Sequence, residues 1–96
     1  MKSTYVSLLT FTDQGAQAIA QSPHRAAAFR NQAEAAGVKV VSQLWTVGSC
    51  DGFLVLESDD ELKTLAVLAQ LAAVGNVRTQ TLRAFDAATF ANITAR

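Results

Sequence analysis

Apolar and polar positions in the first part of the chain predict one strand followed by two helices. Thr4 to Phe11 is dense in Tyr, Val, Leu and Phe, which favours an extended strand. A polar segment follows, in which Asp13 is expected to cap a short helix over Gln14 to Gln21. Ser22 suits the N-cap of a second, longer helix, and Pro23 suits its first position.

The longer helix has an apolar side that is expected to pack on a sheet. Gly37 suits the position just past its end, because glycine readily adopts the left-handed conformation common there. At about 100° per residue, one face collects Ala26, Phe29, Ala33 and Ala36. Arg25 falls on that side, so we expect it either to bind a carboxylate or backbone carbonyls, or to bind a ligand. His24 lies on the outer side, where we expect it to be solvated.

The middle of the chain predicts a hairpin and the start of another helix. Val38 to Val47 and Phe53 to Glu57 are expected strands, joined by a turn over Gly48 to Gly52. Ser58 and Glu61 have the spacing of a capping box, with carboxylates at the positive end of the helix dipole. We therefore interpret this acidic run as a helix start and not as a metal site.

The last part of the chain predicts a helix, a strand and a final helical turn. The helix runs to about Val74 with four residues inward: Leu62, Leu65, Ala69 and Ala72. This phase leaves Val67, Leu71 and Val74 on the solvent side, which suggests contacts with another subunit. A strand over Val77 to Phe85 follows, and Asp86 can cap a turn through Ile93.

The order of these elements predicts the fold class. A βαββαβ order in a short chain is typical of the α+β, ferredoxin-like arrangement, a four-stranded antiparallel sheet with two helices on one face. At 96 residues the chain is expected to form a single domain over residues 1–96. The other face of such a sheet needs a cover, so we expect a ligand or a second subunit there.

The composition restricts which cellular compartment and which classes of partner are compatible with the chain. Eight basic and eight acidic residues balance, so the chain lacks the net positive charge typical of nucleic-acid binding. One cysteine cannot form an internal disulfide, and the first residues do not have the pattern of a signal peptide, which favours the cytoplasm. No apolar run in the sequence is close in length to the roughly 20 residues that a membrane helix needs. The 50% hydrophobic content is high for a small domain and favours a homo-oligomer.

The alternation of side chains along the last strand predicts a ligand-binding surface near the end of the chain. Arg78 and Arg83 point to opposite faces, so only one of them can face the uncovered side of the sheet. The candidate ligand-binding residues that share a face with Arg83 are Thr79, Thr81 and Phe85. We expect that set to line the uncovered side, with Trp45 as a further wall, for a small anionic or carbonyl-bearing ligand. The alternative is that Arg83 or Arg78 forms an ion pair with Glu57.

Four segments together carry a resemblance to a known family: Phe11 to Gly15, Ser22 to Ala26, Trp45 to Gly52 and Gly75 to Phe85. They resemble the GYD domain family of small prokaryotic proteins, and the likeness covers nearly the whole chain. The resemblance implies a dimeric α/β barrel, in which two open sheet faces meet.

The segment Gly48-Ser49-Cys50-Asp51 stands where the family has Gly-x-Tyr-Asp. The resemblance carries Asp51 over as a site residue, at the rim of the pocket, whereas a tyrosine function does not carry over to Cys50. An Asp-Gly pair is also a strong turn signal, which explains Asp51 without a function. Cys50 has no visible base or metal-ligand set, so we interpret it as a plain thiol.

Three functions are compatible with this sequence. The first is a homo-oligomeric protein that binds or senses a small molecule, with no cofactor and no metal. The second is a cofactor-free enzyme similar to small monooxygenases or isomerases, in which Arg83, Asp51 and Trp45 position a substrate. The third is a structural or partner-binding module whose sheet face is filled by apolar side chains. A polar-lined cavity of about 300 Å³ or more would favour a ligand over the third function.

Overall fold

A computed structural model describes residues 2–96. The strands are β1 (Ser3–Phe11), β2 (Lys39–Trp45), β3 (Gly52–Ser58) and β4 (Val77–Ala84). The helices are α1 (Asp13–Gln17), α2 (Ser22–Ala35), α3 (Glu61–Val74) and α4 (Ala87–Thr94), with a 3₁₀ turn over Ile19–Gln21.

The four strands form one antiparallel sheet in the order β2-β3-β1-β4. The register pairs Val6 of the central strand β1 with Val55 on one side and Leu82 on the other. A bulge between Val40 and Ser42 interrupts the pairing of β2 with β3. The predicted ferredoxin-like βαββαβ arrangement is confirmed, and Asp86 caps α4 as predicted through a bond from the Thr89 N–H to Oδ1.

The core lies between one face of the sheet and the helices α2 and α3. Leu54 and Leu56 of β3 are fully buried there, against a cluster of helix residues: Phe29, Ala33, Val67 and Leu68. The helices α2 and α3 leave the opposite face of the sheet uncovered. We call it the open sheet face, and its apolar centre consists of Val6, Leu8, Leu44, Phe53, Val55 and Leu82.

Two helix starts differ from the sequence-based expectation. Thr12, and not Asp13, caps α1, because its hydroxyl accepts a hydrogen bond from the Gly15 N–H. Asp60, and not Ser58, caps α3, since its carboxylate accepts from the Leu62 N–H. The Ser58 hydroxyl instead bonds to Thr64 Oγ1 over 2.7 Å, inside the protein.

The start of α2 also differs from expectation. Ser22 lies inside the helix and is buried, and Gln21 precedes the helix without a side-chain cap. Pro23 lies in the first turn but is the second residue of the helix and not the first, whereas Gly37, with φ of 88°, follows the helix end as predicted.

The predicted phase of α3 is wrong, except that Val74 is 61% exposed as expected. Val67 is 2% exposed and Leu71 packs against the core, whereas Leu62 and Leu65 are 70% and 48% exposed. The helix is apolar on both sides, so periodicity alone did not distinguish the buried side. The exposed residues that were predicted to be buried form what we call the outer α3 stripe: Leu62, Leu65, Ala69 and Ala72.

Candidate functional site

A cavity of about 430 Å³ opens between α2, α3 and one end of the sheet. We call it the helix-side cavity. Its walls are mainly apolar and include Leu9, Phe11, Phe29, Leu54, Leu71 and Val77. Two ionisable side chains also line it, Arg25 from the start of α2 and Asp51 from the turn before β3. The cavity is therefore a mainly apolar chamber, partly open to solvent, whose wall also holds one positive side chain, one negative side chain and four amide side chains.

Trp45 forms one wall of this cavity at the end of β2. Its indole Nε1–H donates a hydrogen bond to Ser22 Oγ over 3.0 Å, and half of its surface remains exposed. The bond explains why Ser22 is buried inside α2 instead of capping it. Trp45 was expected to wall a pocket on the uncovered side of the sheet, and the cavity that it lines lies instead on the helix side. Ligand binding by Trp45 stays a prediction.

Asp51 ties the hairpin turn to the end of β1. Its Oδ2 atom accepts a hydrogen bond from the Phe11 N–H over 2.8 Å, and its own N–H donates to the Leu9 carbonyl over 2.8 Å. Its carbonyl accepts from the Thr46 N–H, while Thr46 Oγ1 donates to the Cys50 carbonyl. These bonds give Asp51 a structural role, and they still leave its side chain at the cavity wall.

Arg25 is half-buried and binds backbone carbonyls. Nη1 donates to the Ala18 carbonyl over 2.8 Å, and Nη2 donates to the Gly15 carbonyl over 3.4 Å. This matches the expected carbonyl-binding role, although the bonds tie α2 to α1 and the 3₁₀ turn and not to the sheet. No acidic side chain within residues 2–96 forms an ion pair with Arg25.

The expected direction of the β4 set is wrong. Thr79, Thr81 and Arg83 pair with Leu9, Ser7 and Tyr5 of β1, all of which point toward the helices. Thr81 Oγ1 and Ser7 Oγ bond to each other over 3.0 Å. The uncovered side instead receives the other parity of β4, Arg78, Gln80 and Leu82. The shared face was predicted correctly, but both faces of this strand are polar enough that parity did not identify which side carries the helices.

Arg83 lies over aromatic rings near the edge of the sheet. Its guanidinium carbon is 5.3 Å from the Tyr5 ring centroid and 4.6 Å from that of Phe85. Nη1 donates to the carbonyls of Thr4 and Ala84. Within residues 2–96, Glu57 pairs with Lys2 over 3.4 Å and with neither Arg83 nor Arg78, so the alternative of an ion pair between Glu57 and one of these arginines is wrong.

The structure divides the predicted ligand-binding residues into two groups. Trp45 and Asp51 line the helix-side cavity, whereas Thr79, Thr81, Arg83 and Phe85 do not. Asp51 bonds to Phe11 and Arg83 pairs with Tyr5, so Asp51 and Arg83 lie about 20 Å apart along β1 at 3.3 Å per residue. Ligand binding by each group stays a prediction, and the two do not form one site.

Tyr5 and Glu61 form a partly buried contact that the sequence did not indicate. The Tyr5 hydroxyl donates to Glu61 Oε2 over 3.1 Å, which joins β1 to the first residue of α3. Burial raises the pKa of Tyr5 above its ordinary value of 10.0, the bond to Glu61 and the negative charge of Glu61 raise it further, and Arg83 lowers it. Glu61 had been assigned to a capping box, and its actual partner lies 56 residues away in sequence.

Two further candidate residues, His24 and Cys50, lie outside the helix-side cavity. His24 is exposed on α2, and Cys50 is a free, half-buried cysteine whose Sγ lies 3.5 Å from Thr46 Oγ1. Residues 2–96 contain no cluster of three or more His, Cys, Asp or Glu side chains that is arranged to hold a metal ion. In the same range, no helix is both long enough and apolar enough to span a membrane.

Comparison with known proteins identifies the family. The signature of the GYD domain matches residues 5–94. The chain belongs to the GYD domain family. A GYD-type relative from Thermus thermophilus is 34% identical over 86 residues, which is 88% of this chain and 90% of the relative. That relative is named "Glutamine synthetase and cystathionine beta-lyase binding protein". No solved structure matches the chain.

Proposed function

We propose that this GYD protein is a protein-binding module of the cytoplasm, which assembles with copies of itself and binds metabolic enzymes. The observation that carries the proposal is the name of the Thermus relative, which describes binding to two enzymes and matches this chain over most of its length. By this proposal, the partners are glutamine synthetase, cystathionine β-lyase or both. We propose a non-catalytic role whose primary function is protein binding and not the sensing of a small molecule.

The outer α3 stripe is the surface that we assign to the enzyme partner. The inner side of α3 already packs on the sheet through Thr64, Val67 and Leu68. Leu62 and Leu65 nevertheless remain exposed on the other side. A helix with apolar residues on all sides is typical of one that is covered on all sides in its working state. Enzyme binding would supply the missing cover.

The open sheet face is the surface that we assign to self-association. Leu44 and Leu82 are 54% and 46% exposed there, next to the partly buried Val6, Leu8, Phe53 and Val55. Burial of apolar surface stabilises an assembly by about 25 cal/mol per Å², and a symmetric pair of sheets would cover this patch on both copies. The family resemblance implies the same arrangement.

The enzyme-binding proposal is tested by mixing purified protein with glutamine synthetase and, separately, with cystathionine β-lyase from the same host. We expect a complex with at least one enzyme in size-exclusion chromatography with light scattering. Leu65→Lys should abolish the complex, because it places a charge in the stripe. Ala35→Lys adds the same charge to an exposed position of α2 and should leave the complex intact. If neither enzyme binds, the proposal is wrong.

Self-association is tested by light scattering of the protein alone. We expect a dimer or larger assembly, and Leu82→Lys should convert it to a monomer. Val47→Lys is the matched control, since Val47 is fully exposed in the hairpin and lies outside the sheet. A monodisperse monomer of the unmodified protein would overturn this part of the proposal and leave the enzyme-binding part standing.

A further inference from the structure

The helix-side cavity has no role in the protein-binding function proposed above. The cavity is partly open to solvent, as ligand-binding clefts are. At about 430 Å³, this cavity lies within the range of about 300 to 1,000 Å³ typical of small-molecule sites. The protein-binding roles proposed for the outer α3 stripe and the open sheet face do not depend on this cavity. A ligand bound in it would therefore be an additional property of the protein.

The cavity walls favour a ligand that has an apolar group. Leu9, Phe29, Leu54 and Leu71 line it from the sheet and both main helices, although Phe29 and Leu54 are themselves buried in the core, and these walls bury apolar surface well. Polar atoms contribute only a minor part of the lining, which disfavours sugars, nucleotides and other strongly hydrated ligands. The main body of the ligand is therefore a hydrocarbon or aromatic side chain.

The two ionisable groups in the wall select the polar part of the ligand. Arg25 has five N–H groups, of which two donate to the carbonyls of Ala18 and Gly15, and the others have no partner among residues 2–96. Asp51 uses Oδ2 for the Phe11 N–H, while Oδ1 accepts no bond from that part of the chain. Arg25 and Asp51 do not pair with each other. Each therefore has unused hydrogen-bonding capacity.

This charge pattern disfavours ligands that carry one sign only. A simple carboxylate would bind Arg25 but be repelled by Asp51, and a simple amine would meet the reverse problem. A zwitterion satisfies both groups, with charge-assisted hydrogen bonds at each end. We propose that the helix-side cavity binds an apolar α-amino acid, whose carboxylate binds Arg25, whose ammonium group binds Asp51 and whose side chain fills the apolar chamber.

Isothermal titration calorimetry with matched probes tests this proposal. L-phenylalanine, L-leucine and L-tryptophan are the amino-acid probes, 3-phenylpropionate lacks the ammonium group and 2-phenylethylamine lacks the carboxylate. We expect at least one amino acid to bind. Both analogues of phenylalanine should bind at least about tenfold more weakly than phenylalanine, as the loss of one charge-assisted contact predicts. Absence of binding by all three amino acids, or equal binding of phenylalanine and its analogues, would overturn the proposal.

Asp51→Asn separates ligand recognition from structural support. Asparagine keeps an oxygen that accepts from the Phe11 N–H but removes the negative charge. We expect the affinity for phenylalanine to fall and the affinity for 3-phenylpropionate to rise. Equal loss for both probes, or no change for either, would show that Asp51 does not bind an ammonium group.

Ala26→Phe tests whether the ligand occupies the cavity itself. Ala26 lines the cavity, whereas its neighbour Ala27 is exposed and does not. Ala26→Phe should therefore abolish amino-acid binding, and Ala27→Phe should preserve it. Retained binding in a folded Ala26→Phe protein would place the ligand elsewhere and contradict the proposal. This test is independent of enzyme binding, because both variants leave the outer α3 stripe unchanged.

Discussion

The indole of Trp45 donates a hydrogen bond to the hydroxyl of Ser22 over 3.0 Å, which joins the end of β2 to the first residue of α2. Ser22 is buried, so its hydroxyl has limited access to water. The contact also fixes one wall of the helix-side cavity, because both residues line it. The position of α2 over the sheet therefore depends on a polar contact in addition to apolar packing.

Removal of the Trp45 indole N–H should destabilise the protein. We expect Trp45→Phe and Ser22→Ala each to lower the free energy of unfolding by about 1 kcal/mol, the typical net value of a hydrogen bond. Trp45→Phe also removes buried area. Because either single variant already breaks the bond, the double variant should cost less than the two single variants together. Urea unfolding of the four proteins measures this coupling. Additive losses would mean that the bond contributes no stability.

Gly15→Ala should be strongly destabilising. A Cβ atom at this buried position of α1 would collide with the backbone carbonyl of Asn76, which itself accepts a bond from the Thr12 N–H. Overpacking of this kind costs about 1 to 3 kcal/mol or more, because backbone has to move. Gln17→Ala in the same helix is the control, since an exposed substitution should change stability by about 0.5 kcal/mol or less. Thermal unfolding compares the two, and an equal melting temperature would contradict the close approach.

The two sides of α3 should respond differently to the same substitution. Leu68 is buried and Leu65 is about half exposed. We expect Leu68→Ala to cost about 2 to 5 kcal/mol through loss of burial and the resulting cavity. Leu65→Ala should cost about 1 kcal/mol or less in the isolated protein, and it should weaken enzyme binding. A larger loss of stability from Leu65→Ala would show that Leu65 is buried, as the periodicity of the sequence predicts.

The elements of this fold were predictable because each has a clear local signal. β1 and β4 are rich in β-branched and aromatic residues, and glycine marks the end of α2 at Gly37. Asp86 starts α4 with a short polar side chain that accepts from a backbone N–H. These features depend on neighbours in sequence, and local reasoning is suited to them.

The helix-side cavity was not predictable in the same way. Its lining comes from both main helices and from the strands, and contacts such as Phe11 with Asp51 join residues 40 positions apart. The phase of α3 and the direction of Arg83 failed for a related reason. Both elements carry similar residues on their two sides, so only the packing of the whole chain decides which side is covered.

Arg83 and Glu57 should behave independently. Arg83 lies on the helix side of the sheet and donates to the carbonyls of Thr4 and Ala84, while Glu57 pairs with the exposed Lys2. We expect Glu57→Ala to change stability by about 0.5 kcal/mol or less, as for other surface ion pairs. Arg83→Ala should cost more, because it removes two carbonyl bonds and the contacts with Tyr5 and Phe85. Chemical denaturation measures both, and equal losses in the two variants would argue for a direct coupling.

The titration of Tyr5 should report the contact with Glu61. Tyr5 is the single tyrosine of the chain, so tyrosinate absorbance follows this one hydroxyl. Burial and the contact with Glu61 raise its pKa above 10.0, which means that the folded protein keeps the proton at pH values where the unfolded chain has lost it. The stabilisation is therefore fully present below pH 10.0 and is lost as the pH rises through the folded pKa. Glu61→Gln should lower the pKa of Tyr5, since it removes a negative charge, whereas Arg83→Gln should raise it, since it removes a positive one. Shifts in the same direction for both variants would contradict the arrangement of these three side chains.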